Sequence, residues 1–388
     1  MYNIKSVLVK CLMLLLFVST KVFAQKEHVY SKVFETDIET TAILNISESS
    51  VSIESSPDDK VYVDYYLEFE GYSIEEINKL KKEFNIESNL NFNHLTILVG
   101  ELPESNNVII EDNKEIINVG INRQEDKINN QLVNYKSKDS LLSEIKVDKS
   151  RKKSLGEVWK KLKDKISKIK GVSNYSIKAF ETNLIIKVPS SLKFTINGRK
   201  SFITLNELIN GELSINLKGG KLRAKNLQNV KRVKIVDAGF EVEEIKNGIF
   251  NLSSVRSGKI GSIKNASITS EFSKIEIGEV KERVVINDFN SEYKFYNFSS
   301  NFKQFDLFSE YSKVHIFDSE FDYSFKVIGN NTVFYNGETA ISMQPTKNGE
   351  KFTMIEKKSN DVNSFGGHIN MDIIHGAIYS HKSKKKSE

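Results

Sequence analysis

The sequence predicts a mainly β fold: a single-handed β-solenoid, or β-helix, of short rungs with an N-terminal strand layer plus helix and a C-terminal strand cap. Three observations carry that reading. First, from about Ser201 to about Phe321 a short strand, a tight polar turn and a second short strand recur. The first apolar residues after the turns are Phe202, Leu222, Val242, Ile260, Ile275, Tyr293 and Val314, spaced 20, 20, 18, 15, 18 and 21 residues apart. A strand-built period near twenty means that each rung buries its apolar side by stacking on the next. Second, only 4 prolines stand among abundant Asn, Ser, Ile, Val and Phe, which suits short strands joined by polar turns. Third, the single cysteine, Cys11, lies in the leader, so stability must come from buried apolar area rather than disulfides.

Residues 1–24 read as a signal peptide. Lys5 and Lys10 open it, Cys11 to Val18 form an apolar stretch, and Val22-Phe23-Ala24 precede the cut before Gln25. That stretch is too short to span a bilayer, and no later run reaches the ~18 apolar residues of a membrane helix. The mature chain is therefore expected to be exported, to the periplasm or the cell surface in association with the outer membrane. Loss of Lys5, Lys10 and Lys21 lowers the formal charge from +5 to +2, which is not the footprint of a nucleic-acid binder.

Residues 25–100 alternate as strands, with Ala42/Leu44/Ile46, Val51/Ile53 and Val61/Val63/Tyr65/Leu67 as period-2 sets. A helix follows Gly71-Tyr72. Ser73 and Glu76 form a capping box, and Ile74, Ile77, Leu80 and Phe84 share a face. Residues 101–180 form a lysine-rich insertion that lacks sustained periodicity up to Lys152. Within it, Leu155, Val158, Trp159, Leu162, Ile166 and Ile169 line one side of an amphipathic helix, with lysines opposite. Such a helix can make peripheral contact with an anionic membrane through 155–170, or lie on the solenoid flank with Trp159 as its packing anchor.

The solenoid repeats occupy 181–325, closing strands 326–380, and a basic tail 381–388. Ile275 is expected to point inward and Ser270 outward. Aromatics crowd the late rungs. Most are expected to stack in the core, and the outward ones form a candidate ligand face at Tyr293, Tyr296, Phe308 and Tyr311.

Catalytic chemistry is not visible. His368 and His375 lack a carboxylate at ligand spacing, and Gly219-Gly220 and Gly366-Gly367 lack the context of a phosphate loop. A polysaccharide-cleaving β-helix would need converging carboxylates. Glu271 and Glu310 share a rung position, but the rung between them carries Phe289 there. No catalytic, metal or cofactor-binding residue is assigned, and no cofactor is expected.

Two stretches, KVFETDIETTAILNISESSVSIESSPDDKVYVDYYLEFEGYSIEEINKL and NLIIKVPSSLKFTINGRKSFITLNELINGELSINLKGGKLRAKNL onward, resemble a family of exported bacterial proteins of unknown function, the head-GIN-like putative-adhesin family. The shared features are a leading strand pair, the Val188-Pro189 step and rungs marked by turn residues; about three quarters of the chain fits. Many rung glycines are Asn, Ser or Phe here, and rung length varies. The resemblance implies a β-solenoid and a non-enzymatic adhesin or binding module, whose partner is an envelope or surface ligand, glycan or protein. A carbohydrate-active β-helix, or a periplasmic scaffold linked to an envelope stress system, stands as the alternative. The family supplies no catalytic residue to carry over.

Overall fold

The computed structural model describes residues 25–100, 107–112, 115–120, 176–177, 179–206, 211–317, 323–337, 339–347, 349, 352–358 and 366–381. The predicted signal peptide, the amphipathic helix with Trp159 and nearly all of the basic tail lie outside them. The described chain is mainly β and solenoid-like. One helix, Ile74–Lys81, stands among the strands.

Alternation builds each rung. In Gly239–Ser253, the inward residues Phe240, Val242, Ile245, Phe250 and Leu252 are buried. Each such side chain contributes about 1.5–3 kcal/mol over an exposed one, and only the next rung can cover it. The strands therefore stack in parallel register, as in Val242↔Ile260↔Ile277↔Phe295↔Ile316.

Every full rung has three sides. A leading face follows a tight corner. The ladder then skips one position, at Glu243 and Gly261 for example, and a short face begins. A second corner at Asn229, Asn247, Asn265 and Glu282, all with positive φ, turns into the trailing face. The tight corner closes the rung, and a residue at the same place in each rung adopts left-handed backbone there, joined at one corner by Gly220 (φ 84). The recurring residues are Glu48 (φ 53), Lys200 (φ 48), Gly219 (φ 73), Asp237 (φ 49), Ser254 (φ 53), Phe272 (φ 50), Asn290 (φ 55), Tyr311 (φ 57), His375 (φ 54) and Asn331 (φ 51).

Hydrogen bonds stack these corners. The Ser254 amide donates to Glu271 O at 3.0 Å, Phe272 to Phe289 O at 3.0 Å, Asn290 to Glu310 O at 2.7 Å and Tyr311 to Ile374 O at 2.9 Å. The following residue turns inward and is often a hydroxyl. The Val255 amide donates to Ser273 Oγ at 3.1 Å, the Ser273 amide to Ser291 Oγ at 3.0 Å and the Ser291 amide to Ser312 Oγ at 3.2 Å. These bonds satisfy buried amides that the turn removes from the strand ladder.

Several expectations need correction. The stacked corner register aligns Ile203, Leu222, Phe240, Gly258, Ile275, Tyr293 and Val314, at spacings of 19, 18, 18, 17, 18 and 21. Phe202 is thus displaced by one place and Val242 and Ile260 by two. Gly258 hides the register because it occupies a core position. A Cβ there would meet Ile275 Cγ1 at 3.2 Å.

The terminal strands also join the stack. Thr41–Ser47 and Ser50–Ser55 pair in parallel with Lys193–Leu205, so they are rungs rather than a separate layer. Gly367–Ile374 lies between Gln304–Glu310 and Tyr323–Asn330, so the last rung in sequence is not the last in space. Antiparallel strands finish the stack: Ile86–Asn91 and Gln25–Glu35 at one end, Thr339–Met343 and Phe352–Lys358 at the other. Asn107–Asp112 and Glu115–Gly120 form a hairpin inside the insertion, which weak periodicity does not reveal.

The capping box is present, with the Ser73 amide donating to Glu76 Oε2 at 2.9 Å and Glu76 N–H donating to Ser73 Oγ at 3.3 Å. Ile77 and Leu80 are buried, whereas Ile74 is 69% exposed. Phe84, beyond the helix, reaches Phe180 edge-on at 5.3 Å.

Candidate functional site

The late tight corners carry rings. Phe272 and Tyr311 occupy left-handed corner positions, and Phe289 and Phe308 project from the trailing strands beside them. They are 54, 52, 40 and 51% exposed respectively. Phe289 bridges its neighbours edge-on, with centroids 5.5 Å from Phe272 and 5.8 Å from Tyr311. The stack continues to His375, parallel to Tyr311 at 5.1 Å and also left-handed. This is a continuous aromatic strip running along the solenoid axis.

The backbone does not favour rings at these places. A left-handed conformation costs an L-residue roughly 1–2 kcal/mol, and Gly, Asn or Asp bears it most easily. Earlier corners use Gly219 and Asp237, and the rung between Phe272 and Tyr311 uses Asn290. Solvent exposure means that the rings recover little of this cost by burial.

A polar cluster lies behind the strip. Ser270, Asp288 and Ser309 occupy successive inward places in the column that Ile235 and Leu252 lead into. Ser270 Oγ donates to Asp288 Oδ1 at 2.5 Å and meets Tyr293 Oη at 2.5 Å, and Ser312 Oγ donates to Asp288 Oδ2 at 2.5 Å. Ser270 is 3% exposed, which overturns its expected outward position. Its pairing with Asp288 makes an inward hydroxyl tolerable. Burial, and secondarily the Asp288 carboxylate, raise the Tyr293 phenol well above its ordinary pKa, so Tyr293 remains a neutral core group.

The sequence-predicted face is therefore divided. Phe308 and Tyr311 are exposed as expected, but Tyr293 is 0% and Tyr296 6% exposed, so neither belongs to a free surface. Tyr293 follows the corner inward and stacks on Phe295 at 5.6 Å, while Tyr296 lies over Phe317 at 4.9 Å. Phe272, Phe289 and His375 complete the strip in their place. The available signal for Phe272 was an aromatic residue immediately before the Ser273-Lys274 turn, where other rungs carry polar corner residues.

Carboxylates flank the rings. Glu271, Phe289 and Glu310 are successive ladder partners, so the two acids stand two rung steps apart, about 9.5 Å along the axis. Ser253 Oγ donates to Glu271 Oε1 at 2.7 Å. Elsewhere His315 Nδ1 and His381 Nε2 are 3.1 Å apart. Among the described residues, no cluster of three or more His, Cys, Asp or Glu could hold a metal ion.

No protein-family model matches this chain, and no curated protein does. Among solved structures it is similar to a putative cell adhesion protein from Clostridium sporogenes, at 12% identity and a TM-score of 0.19, over 93% of this chain and 100% of that one.

Proposed function

We propose that this chain is an exported, non-enzymatic binding protein of the bacterial envelope, an adhesin-like module that holds saccharide rings against its aromatic corner. The observation that carries the reading is the placement of Phe272 and Tyr311 in left-handed backbone with about half of each side chain in solvent. Folding gains little from rings there, whereas a sugar offers its apolar C–H face to them and its hydroxyls to Glu271 and Glu310. Phe289 stands between those carboxylates, which favours binding over acid/base cleavage.

The test is a panel of cell-wall and host glycans read for both retention on the purified mature protein and new reducing ends. Retention without cleavage, with or without calcium or zinc, is expected. Reducing ends that disappear in Glu271→Gln or Glu310→Gln would make the protein a glycan-cleaving enzyme instead. Proteolysis of intact cells checks the location, because an adhesin must be cut from outside and a periplasmic protein is protected.

A further inference from the structure

The trailing face holds a second surface at the other end of the stack. Its outward amides form a row: Asn197 Nδ2 donates to Asn45 Oδ1 at 2.9 Å and Asn216 Nδ2 donates to Asn197 Oδ1 at 2.9 Å. A concavity of ≈ 680 Å³ lies over this row. Leu98 and Val236 supply apolar wall, and Arg199, Lys218 and Lys234 stand against one carboxylate, Glu87. A second hollow of ≈ 380 Å³ shares Lys234 and Val236 and runs on to Glu271 and Phe289, so the groove extends along the axis.

The cations are arranged unlike their neighbours. Lys200 pairs with Glu48 at 3.0 Å, Lys221 and Arg223 with Glu241 at 2.5 and 2.8 Å, and Lys231 with Glu212 at 2.9 Å. Among the described residues no carboxylate pairs with Lys218 or Lys234, although both are exposed in the groove. Over the larger concavity three cations stand against Glu87 alone, and such an excess of positive charge over a concave surface raises the local concentration of anions. Asn197 and Asn216 each spend one of their two N–H donors on the row and keep the other for a hydroxyl. Leu98, 41% exposed, suits the C–H side of a sugar ring.

We propose that this groove binds a linear polysaccharide bearing carboxylates, a polyuronate laid along the solenoid axis. The lysines and Arg199 meet its carboxylates, the amide row its hydroxyls and the Leu98 wall its ring faces. Successive rungs repeat every 4.7–4.9 Å, so a polymer can use several at once. The second hollow reaches Glu271 and Phe289 of the aromatic corner, but the larger concavity, where Arg199, Lys218 and Lys234 lie, shares no residue with that corner, so either binding activity can fail without the other.

Binding of polygalacturonate to the purified mature protein tests this, with dextran, poly-glutamate and inorganic phosphate as comparison probes. Polygalacturonate is expected to bind in preference to all three and to weaken as salt shortens the Debye length. Lys218→Ala with Lys234→Ala should weaken it by about tenfold or more, equivalent to about 1.4 kcal/mol, while Lys218→Arg with Lys234→Arg retains it. Both pairs are exposed, and unchanged thermal midpoints establish that the variants remain folded. Phe272→Asn should leave this affinity unaltered. Polygalacturonate binding that the alanine pair does not change, or equal binding of poly-glutamate or dextran, would overturn the proposal.

Discussion

Two stretches of the same corner column are built in opposite senses. At Asp237 and Ser254 the left-handed residue is polar, and the inward positions nearby hold Ile235 and Leu252. From the very next rung on, the outside carries Phe272, Phe289 and Tyr311, while the inward positions hold Ser270, Asp288 and Ser309. Backbone conformation and stacking are shared, so the fold asks the same of both. The early corner meets that demand in the ordinary way, with apolar groups inside and polar groups in water. The late corner inverts it, placing rings in solvent and spending a buried hydrogen-bond network to support them. Ser270, Tyr293 and Ser312 are satisfied around Asp288, which rigidifies that part of the network, whereas the buried Ser309 Oγ has no hydrogen-bond partner among the described residues. Packing alone would have repeated the early pattern, and this difference is what the proposed saccharide site rests on.

The largest expected effect comes from treating the two inward columns alike. Ile275→Asp places an unpaired charge in the core and should cost at least about 4 kcal/mol, unfolding the repeats. Ser270→Asp should also be severe, because the new carboxylate would face Asp288 inside the cluster. Denaturant midpoints measure both. A Ser270→Asp protein as stable as the parent would mean that the inversion is misread.

Acid should act more gently and from a different face. Burial first, and the adjacent His381 second, lower the His315 pKa to about 4, and burial also lowers His381. Glu292 is 3.9 Å from His315 Nε2 and opposes this, while Lys294 and Lys313 reinforce it. Tyr379 and Phe317 flank the pair. The unfolded chain protonates these imidazoles near the ordinary 6.5, while the folded chain resists doing so. Stability should therefore be full above pH 6.5 and decline as the pH falls towards 4, with the lowered Glu241 carboxylate adding to the loss at the acid end. His315→Asn should flatten the decline between pH 6.5 and 4 in an unfolding titration, and an unchanged slope would remove His315 from the account.

Much of this organisation is legible in the sequence. The β period, the Ser73/Glu76 box and the succession Glu271, Phe289, Glu310 follow from turn residues and alternation. What escapes reading has physical causes. Gly258 fills a core position with no side chain to announce it, and left-handed corners built from Phe, Tyr and His do not look like turns. Ser270 reads as an outward residue until Asp288 is known to face it. Tyr293 and Phe289 are four residues apart across one tight corner, and that corner sends one ring inward and the other out. Nor does chain order reveal that Gly367–Ile374 fills a gap left earlier in the stack.

The corner itself provides the most direct measurement. Phe272→Asn with Tyr311→Asn replaces two rings by a residue that tolerates left-handed backbone, removing part of the roughly 1–2 kcal/mol cost at each place while losing the exposed edge contacts with Phe289. Unfolding midpoint and glycan retention should be recorded on the same preparation. The account predicts a midpoint equal to or slightly above that of the parent, by about 0.5 kcal/mol, together with loss of retention. A clear fall in stability, or full retention by the double variant, would contradict it.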